Sequence, residues 1–360
     1  MPAYQEIIMR SFEHGYLLEQ PISQELLMTV RMLGEFRGRQ NLYQQQSPEI
    51  LETLKRAAMV QSVESSNRIE GVTVEHERLE AIMAHKTKPK DRSEQEVAGY
   101  RDVLAEIHAN AKRLTLTPEL ILRFHRQMYA RTPSKGGNWK KKDNAILEIR
   151  PDGKQVVRFK PVSALAAPRF MEKLCKLYHE AIDKQQAEPL LLIASFIFDF
   201  ECVHPFWDGN GRMGRLLTLL LLYQAGYEAG RYISLERIIE ESKETYYEVL
   251  LKSSQHWHEE RHDLRPWWNY FLGTLIVAYK EFEDRVGHLK TARGAKGEIV
   301  RQAIERLPNE FTAKELRHAC PGVSPGMIRV VLRELQKEKR LTCAGHGPAA
   351  VWRREGNNPK

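Results

Sequence analysis

The sequence predicts a mainly α-helical protein, and three observations carry that expectation. Helical periodicity dominates most of the 360 residues. Two strongly apolar runs, "LLLIASFIFDFECV" and "LLTLLLLYQAG", read as buried helices at the centre of the fold. Before the C-terminal tail, only one segment breaks the pattern: "AILEI" and "VVRF" flank an Asp152-Gly153 turn, a β-hairpin signal.

Length and composition allow two or three soluble domains, with 42% hydrophobic and 28% charged residues. No basic-then-apolar leader and no apolar run of membrane-spanning length is present, so no membrane contact is expected. Cys175, Cys202, Cys320 and Cys343 are scattered without metal or disulfide spacing, which suits a reducing, cytoplasmic setting. The net charge of +8 is uneven. Residues 285–360 hold 16 basic and 7 acidic residues, and the preceding 284 hold 39 and 40. The two parts should therefore meet different partners.

Taken in order, residues 23–60 read as amphipathic helix, and residues 93–112 as another, opened by Ser93 with Glu96 in a capping-box pattern. The hairpin follows, near 144–160. "EPLLLIASFIFDFECV" begins with Pro189 in its first turn, and "RMGRLLTLLLLYQAG" ends on Gly226, a C′ glycine. A long helix starts near Pro266, and "TARGAKG" (Thr291 to Gly297) reads as a linker. Three domains result: an N-terminal helical region over 1–92, a core over 93–290 and a small unit over 295–356.

Between the two apolar runs stands "HPFWDGNGRMGR", His204 to Arg215. Gly209, Gly211 and Gly214 let backbone approach a ligand closely. Free N–H groups at the start of the following helix make an anion site. Asn210 adds an amide, and Arg212 and Arg215 can fork onto phosphate oxygens. Asp208 offers the hard oxygen that Mg²⁺ prefers, and His204 can take a proton near neutral pH. Anion cradle, metal ligand and base together suit phosphoryl or nucleotidyl transfer to a hydroxyl.

"HPFWDGNGR" resembles the Fic-family signature, His-Pro-Phe-any-(Asp/Glu)-Gly-Asn-(Gly/Lys)-Arg, at every position, and Arg215 falls where that family has a second arginine. The resemblance covers about residues 60–280. It implies a Fic helical core with a flap hairpin, using ATP and Mg²⁺ to move AMP onto a Ser, Thr or Tyr hydroxyl of a target protein, and onto the chain itself. Under that resemblance His204 is the base, Phe206 anchors the loop and Asp208 binds Mg²⁺. Gly209, Asn210, Gly211 and Arg212 then form the anion nest, and Arg215 holds the γ-phosphate. Glycine at 211, where phosphorylating relatives tend to carry lysine, points to AMP transfer. The hairpin would be the flap whose edge aligns an extended target segment.

"SSNRIEGV" places Ser66 and Glu70 on one helical face, with Gly71 at the helix end. A glutamate there faces the negative end of the helix dipole and calls for a cation. The stretch resembles the Fic inhibitory motif, (Ser/Thr)-any-any-any-Glu-(Gly/Asn). That resemblance implies an inhibitory helix near 60–71 in which Glu70 pairs with Arg215 and displaces the γ-phosphate. Tyr247 falls where relatives line the adenine pocket; the other reading has both Tyr246 and Tyr247 as helix core. Ser254 stands where some relatives carry Asn.

"HEERH", His258 to His262, spells a zinc-protease pattern, but Pro266 follows, the flanks are polar and no third ligand is evident. An exposed helix end or loop is expected there. The tail reads as three helices and a hairpin, "LTCAG" and "AAVWRR", which is the winged-helix order. Arg329 and Arg333 on its recognition helix, with Lys337, Lys339, Arg340, Arg353 and Arg354, suit phosphate contact with DNA. Protein docking or homodimerisation through the same face is the other reading. Competing functions are a DNA-binding regulator with a silent or sensing Fic site, and removal of AMP from a modified protein.

Overall fold

A computed structural model describes residues 9–13, 15–46, 48–149, 155–287, 295–320, 323–345 and 350–355. The N-terminal part carries α1 (Tyr16–Glu19), α2 (Gln24–Gln46), α3 (Pro48–Ile69) and α4 (His76–Met83). The central part follows with α5 (Arg92–Asn110), α6 (Pro118–Met128), β1 (Ile146–Ile149), β2 (Gln155–Phe159), α7 (Ala167–Asp183), α8 (Pro189–Val203) and α9 (Asn210–Gln224). Then come α10 (Leu235–Glu241), α11 (Lys243–Ser254) and α12 (Arg265–Gly287). The C-terminal part is α13 (Ala295–Arg306), β3 (Glu310–Thr312), α14 (Ala313–Ala319), α15 (Pro325–Lys337), β4 (Leu341–Ala344) and β5 (Val351–Arg354).

The expected helix over 23–60 is instead two helices. Pro48 opens the second of them: a proline suits a first helical turn and disfavours helix in the residue before it. The cap of α5 also differs from expectation. Asp91, not Ser93, is the N-cap, and its carboxylate accepts the Glu94 N–H at 2.9 Å. Glu96 is thereby left for a different task, described below.

Helices α8 and α9 form the centre. Apart from Glu201, every residue of α8 from Leu190 to Val203 is buried, so this helix has no solvent face. Such a helix needs neighbours all round. It receives α7, α9 and α12 against different sides. Helix α9 is nearly as enclosed, with Leu216, Leu217, Leu219, Leu220, Leu221 and Leu222 all buried. Two rigid helices thus meet at the loop 204–209.

Strands β1 and β2 pair antiparallel, Leu147 opposite Val157 and Ile149 opposite Gln155, with an irregularity between Ile146 and Leu147. The Asp152-Gly153 turn lies outside the described residues. Leu147 and Val157 are about half exposed, so the hairpin keeps apolar side chains in solvent.

In the C-terminal part β5 lies between β3 and β4, antiparallel to both. The sequence reading missed β3, a three-residue strand that runs straight into α14. Thr312 ends the strand and caps the helix, in a capping box with Glu315. Ala295 to Gly297, expected as linker, already belong to α13. Among the described residues no helix is long and apolar enough to cross a membrane.

Candidate active site

The loop between α8 and α9 is held by backbone geometry and by a buried aromatic. His204 ends α8 in the left-handed region, φ 48 and ψ 58, a conformation uncommon for a residue with a Cβ. Phe206 is fully buried, stacked on the His125 imidazole at 3.7 Å and on Trp139 at 5.2 Å. Asn210 closes the loop from the other side. Its carbonyl accepts the Phe206 N–H and its amide donates to the Phe206 carbonyl, both at 2.9 Å. The side chain expected as an anion donor is therefore the clasp of the loop in this structure.

His125, on α6, was not legible in the sequence. Its Nδ1 accepts the Gly137 N–H at 2.8 Å, so Nε2 carries the proton and donates to the Asp208 carbonyl at 3.0 Å. Burial pulls its pKa down to about 4, which keeps the ring neutral and apolar enough to stack on Phe206.

His204 is neutral for the same reason. Burial, followed by the charge of Lys140, lowers its pKa to about 4. Its Nδ1 lies 3.3 Å from the Glu201 carbonyl, a group that can only accept. The proton therefore sits on Nδ1, and the Nε2 lone pair is available as a base. Lys140, another residue the sequence did not single out, donates to Asn144 at 2.8 Å, and burial lowers its pKa to about 8. NMR titration of the His204 ring should give a midpoint near 4, well below an ordinary histidine. A midpoint near 6.5 would contradict this electrostatic picture.

Helix α9 starts at Gly209 with no side chain capping it, leaving the positive end of its dipole open to an anion. Arg212 and Arg215, three apart in its first two turns, take different partners. Arg212 is buried, donating to Glu96 at 2.5 Å, to Tyr129 at 2.7 Å and to Asn67 at 3.3 Å. Glu96, first read as a capping residue, is the counter-ion of this arginine and of Arg92. Arg215 donates through Nε to the Ser66 hydroxyl at 2.8 Å. Through Nη2 it reaches the Ser66 carbonyl and a Glu70 carboxylate oxygen, each at 2.9 Å. Its Nη1 is buried without a hydrogen-bond partner.

The Ser66–Glu70 stretch thus comes to the site as the end of α3. Val72 N–H bonds the Asn67 carbonyl and Gly71 N–H bonds that of Arg68, a Schellman ending with Gly71 left-handed at φ 80. The cations that a glutamate at this end requires are Arg215 and Lys243, whose ammonium donates to the Ile69 carbonyl at 2.6 Å. Gly211 permits the approach: a Cβ there would overlap the Glu70 carboxylate oxygen. Beside the open start of α9, Arg215 accordingly holds a carboxylate from the chain itself.

A cavity of about 640 Å³ opens beside this pair, lined by Glu70, His204, Gly211, Arg215, Tyr247 and the hairpin's Leu147 among others. Tyr247 is half-buried in its wall, with the Arg158 guanidinium of β2 5.3 Å over its ring. Tyr246 is buried against Trp267 and Tyr270 and is core. Glu201, missed in the sequence although a carboxylate in so apolar a helix was a visible signal, lies beneath Arg215. Burial pushes its pKa up to about 8, so at neutral pH it is protonated and leaves Glu70 as the arginine's anionic partner.

Asp208 is about half exposed at the cavity mouth, 3.4 Å from Arg92 and 3.6 Å from Arg212. One accessible carboxylate beside an anion cradle fits a Mg²⁺ ion that takes its remaining ligands from substrate phosphates and water. The HEERH segment is not a metal site. His258 bonds the Lys160 carbonyl, and His262, buried rather than exposed as expected, bonds the Ser11 hydroxyl at 2.9 Å. On α15, Arg329 and Arg333 are exposed. The strand arginines are engaged internally: Arg353 on Glu310 at 2.8 Å, and Arg354 on the Glu305 and Leu307 carbonyls.

Fold and site together define a helical protein whose central helix pair presents an anion-binding helix start beside a neutral imidazole. Residues 115–222 match the model of the Fic/DOC family, and the chain carries a domain of that family. Over 186 residues it is 26% identical to the protein adenylyltransferase Fic of Nematostella vectensis, covering 48% of this chain and 40% of that protein. Against the namesake of Drosophila willistoni it is 27% identical over 182 residues, 49% of this chain and 34% of the relative. The chain thus spans well under half the length of these relatives. Among solved structures, a Fic family protein from Desulfovibrio desulfuricans G20 shares the fold at a TM-score of 0.60 and 24% identity. That match covers 95% of this chain and 99% of the other. A Fic domain-containing signaling protein from Bacteroides thetaiotaomicron gives 0.57 and 22%, over 70% and 96%.

Proposed function

We propose that this chain transfers AMP from ATP to a hydroxyl of a protein, and that Glu70 holds the activity low. The observation that supports it most is the neutral His204 beside an open helix start whose Arg215 already holds a carboxylate. His204 Nε2 takes the proton of the target hydroxyl. The hydroxyl oxygen attacks the α-phosphorus, its bond to the bridging oxygen breaks, and pyrophosphate leaves. The start of α9, with Arg215, stabilises the phosphate charge. Asp208 would hold Mg²⁺, which neutralises phosphate charge when bound. Tyr247 forms a wall for the adenine, and the hairpin presents the target segment through main-chain bonds.

Arg215 cannot hold Glu70 and a γ-phosphate through the same Nη2. While Glu70 is in place, ATP that binds lies with its phosphates displaced from in-line geometry, and transfer is slow. Intact-mass measurement after incubation with Mg²⁺ and ATP tests the reading. A gain of one AMP on the chain, or on an added target, is expected; unchanged mass in the Glu70→Gly protein, with ATP bound, counts against it.

For the C-terminal part we infer a winged helix that contacts phosphates of double-stranded DNA through Arg329 and Arg333 on α15. A gel shift with the full chain should weaken steeply between low and moderate salt, and in Arg329→Ala. Binding indifferent to salt would argue for a protein partner instead.

A further inference from the structure

The end of α3 and the C-terminal part meet at a cluster that the transfer site does not use. Glu64 lies on α3, His76 opens α4, and His318 sits in the last turn of α14. One carboxylate oxygen and two ring nitrogens from these residues lie within 4.8 Å of one another, the one such trio among the described residues. Glu64 Oε1 is 3.2 Å from His318 Nε2, and the two imidazoles stand 4.5 Å apart.

His76 is the telling member. Its side chain is only 9% exposed, yet neither ring nitrogen has a hydrogen-bond partner. The nearest acceptor is the Glu80 carboxylate, 3.6 Å from Nε2, beyond hydrogen-bond reach. Buried imidazoles in folded proteins are almost always paired, because an unmet polar group loses its water without replacement. Glu64 is also available: Arg68, 3.7 Å away, has its own partner in Glu240 at 2.5 Å.

The geometry points to a Zn²⁺-type site formed by Glu64, His76 and His318, which fastens the C-terminal part to the helix bearing Ser66 and Glu70. Two imidazoles and one carboxylate are a zinc donor set, whereas Mg²⁺ and Ca²⁺ want oxygens throughout. In a tetrahedron, zinc bonds of about 2.0–2.2 Å place ligand atoms about 3.3–3.6 Å apart. The trio, whose atoms lie within 4.8 Å of one another, therefore draws in by up to about 1.5 Å, within reach of side-chain rotation. Water or the Glu80 carboxylate completes the tetrahedron. Because His318 belongs to α14 and the other two to α3 and α4, the ion would tie three helices together. Glu64 stands six residues before Glu70, so the tie would also steady the Glu70–Arg215 pair. That last consequence rests on the inhibitory reading; metal binding does not.

The test uses the full chain, stripped with chelator and dialysed against Zn²⁺ or Co²⁺. Bound metal per chain and the visible spectrum of the Co²⁺ form are read for wild type, His76→Ala, His318→Gln and His258→Ala, with folding checked by circular dichroism. Wild type and His258→Ala should retain one ion with a four-coordinate Co²⁺ spectrum, and the two trio variants should bind at least about a hundredfold more weakly. Retention by the trio variants equal to wild type, or no retention by wild type, overturns the site. Wild type stripped of zinc, freed of chelator and assayed in Mg²⁺ should also transfer AMP faster than the Zn²⁺-loaded form. Unchanged transfer with the metal site intact would overturn the coupling to Glu70 and leave the site itself standing.

Discussion

Glu70→Gly is expected to raise AMP transfer by about 10- to 100-fold over the wild-type chain. The estimate follows from the bond removed: a charge-assisted hydrogen bond contributes about 1.5–3 kcal/mol, and each 1.4 kcal/mol is tenfold. The Glu70 carboxylate sits against Gly211 and 2.9 Å from Arg215, where a phosphate of productively bound ATP would compete with it. The left-handed C′ residue that ends α3 is Gly71, which the change leaves in place while it removes the anion. It does leave Arg215 buried beside a protonated Glu201, without its counter-ion. An unanswered buried charge is strongly destabilising. The variant should therefore melt below wild type when empty, and should gain more stability from ATP than wild type does. Thermal melts with and without nucleotide, alongside transfer rates, check both halves.

His204→Ala in the Glu70→Gly background should lower transfer by about 10²–10⁴, the usual contribution of a positioned general base. Nucleotide binding should survive, since the cradle is made by α9 and the arginines. Position 204 is left-handed, so alanine there strains the backbone as well as deleting the ring. His204→Asn provides the control, because asparagine tolerates that conformation. If the asparagine variant transfers AMP as fast as its parent, His204 is not the base. Equal loss in both variants assigns the effect to the missing imidazole.

Much of this site was legible because its residues are close in sequence. His204 to Arg215 spans one loop and fewer than two helix turns, so residue types and spacing alone brought imidazole, carboxylate and arginines to one place. The helix end at Glu70 called for a cation, and only the resemblance to the Fic inhibitory motif named Arg215 as that cation. The partners supplied from afar were not legible. His125, Lys140 and Glu96 reach the loop from other elements, and nothing local to them distinguishes a residue that stacks on Phe206 or neutralises Arg212 from any surface polar residue. The capping-box pattern at Ser93 misled for that reason: Glu96 fits the local motif, but a buried arginine claims it. The break at Pro48 was readable, since proline before a helical run starts a helix more readily than it continues one. Strand β3 was too short to show any alternation.

On the proposed function, the start of α9 binds the phosphates of ATP for AMP transfer, and Glu70 occupies Arg215 at rest. That reading is tested most directly by incubating wild type, Glu70→Gly and Glu70→Gly with His204→Ala separately with ATP labelled at the α- or the γ-phosphate, in Mg²⁺. Protein-bound α-label is expected, faint in wild type, strong in Glu70→Gly and lost in the double variant, with γ-label never retained. Retained γ-label, or α-label indifferent to Glu70 and His204, would contradict that reading.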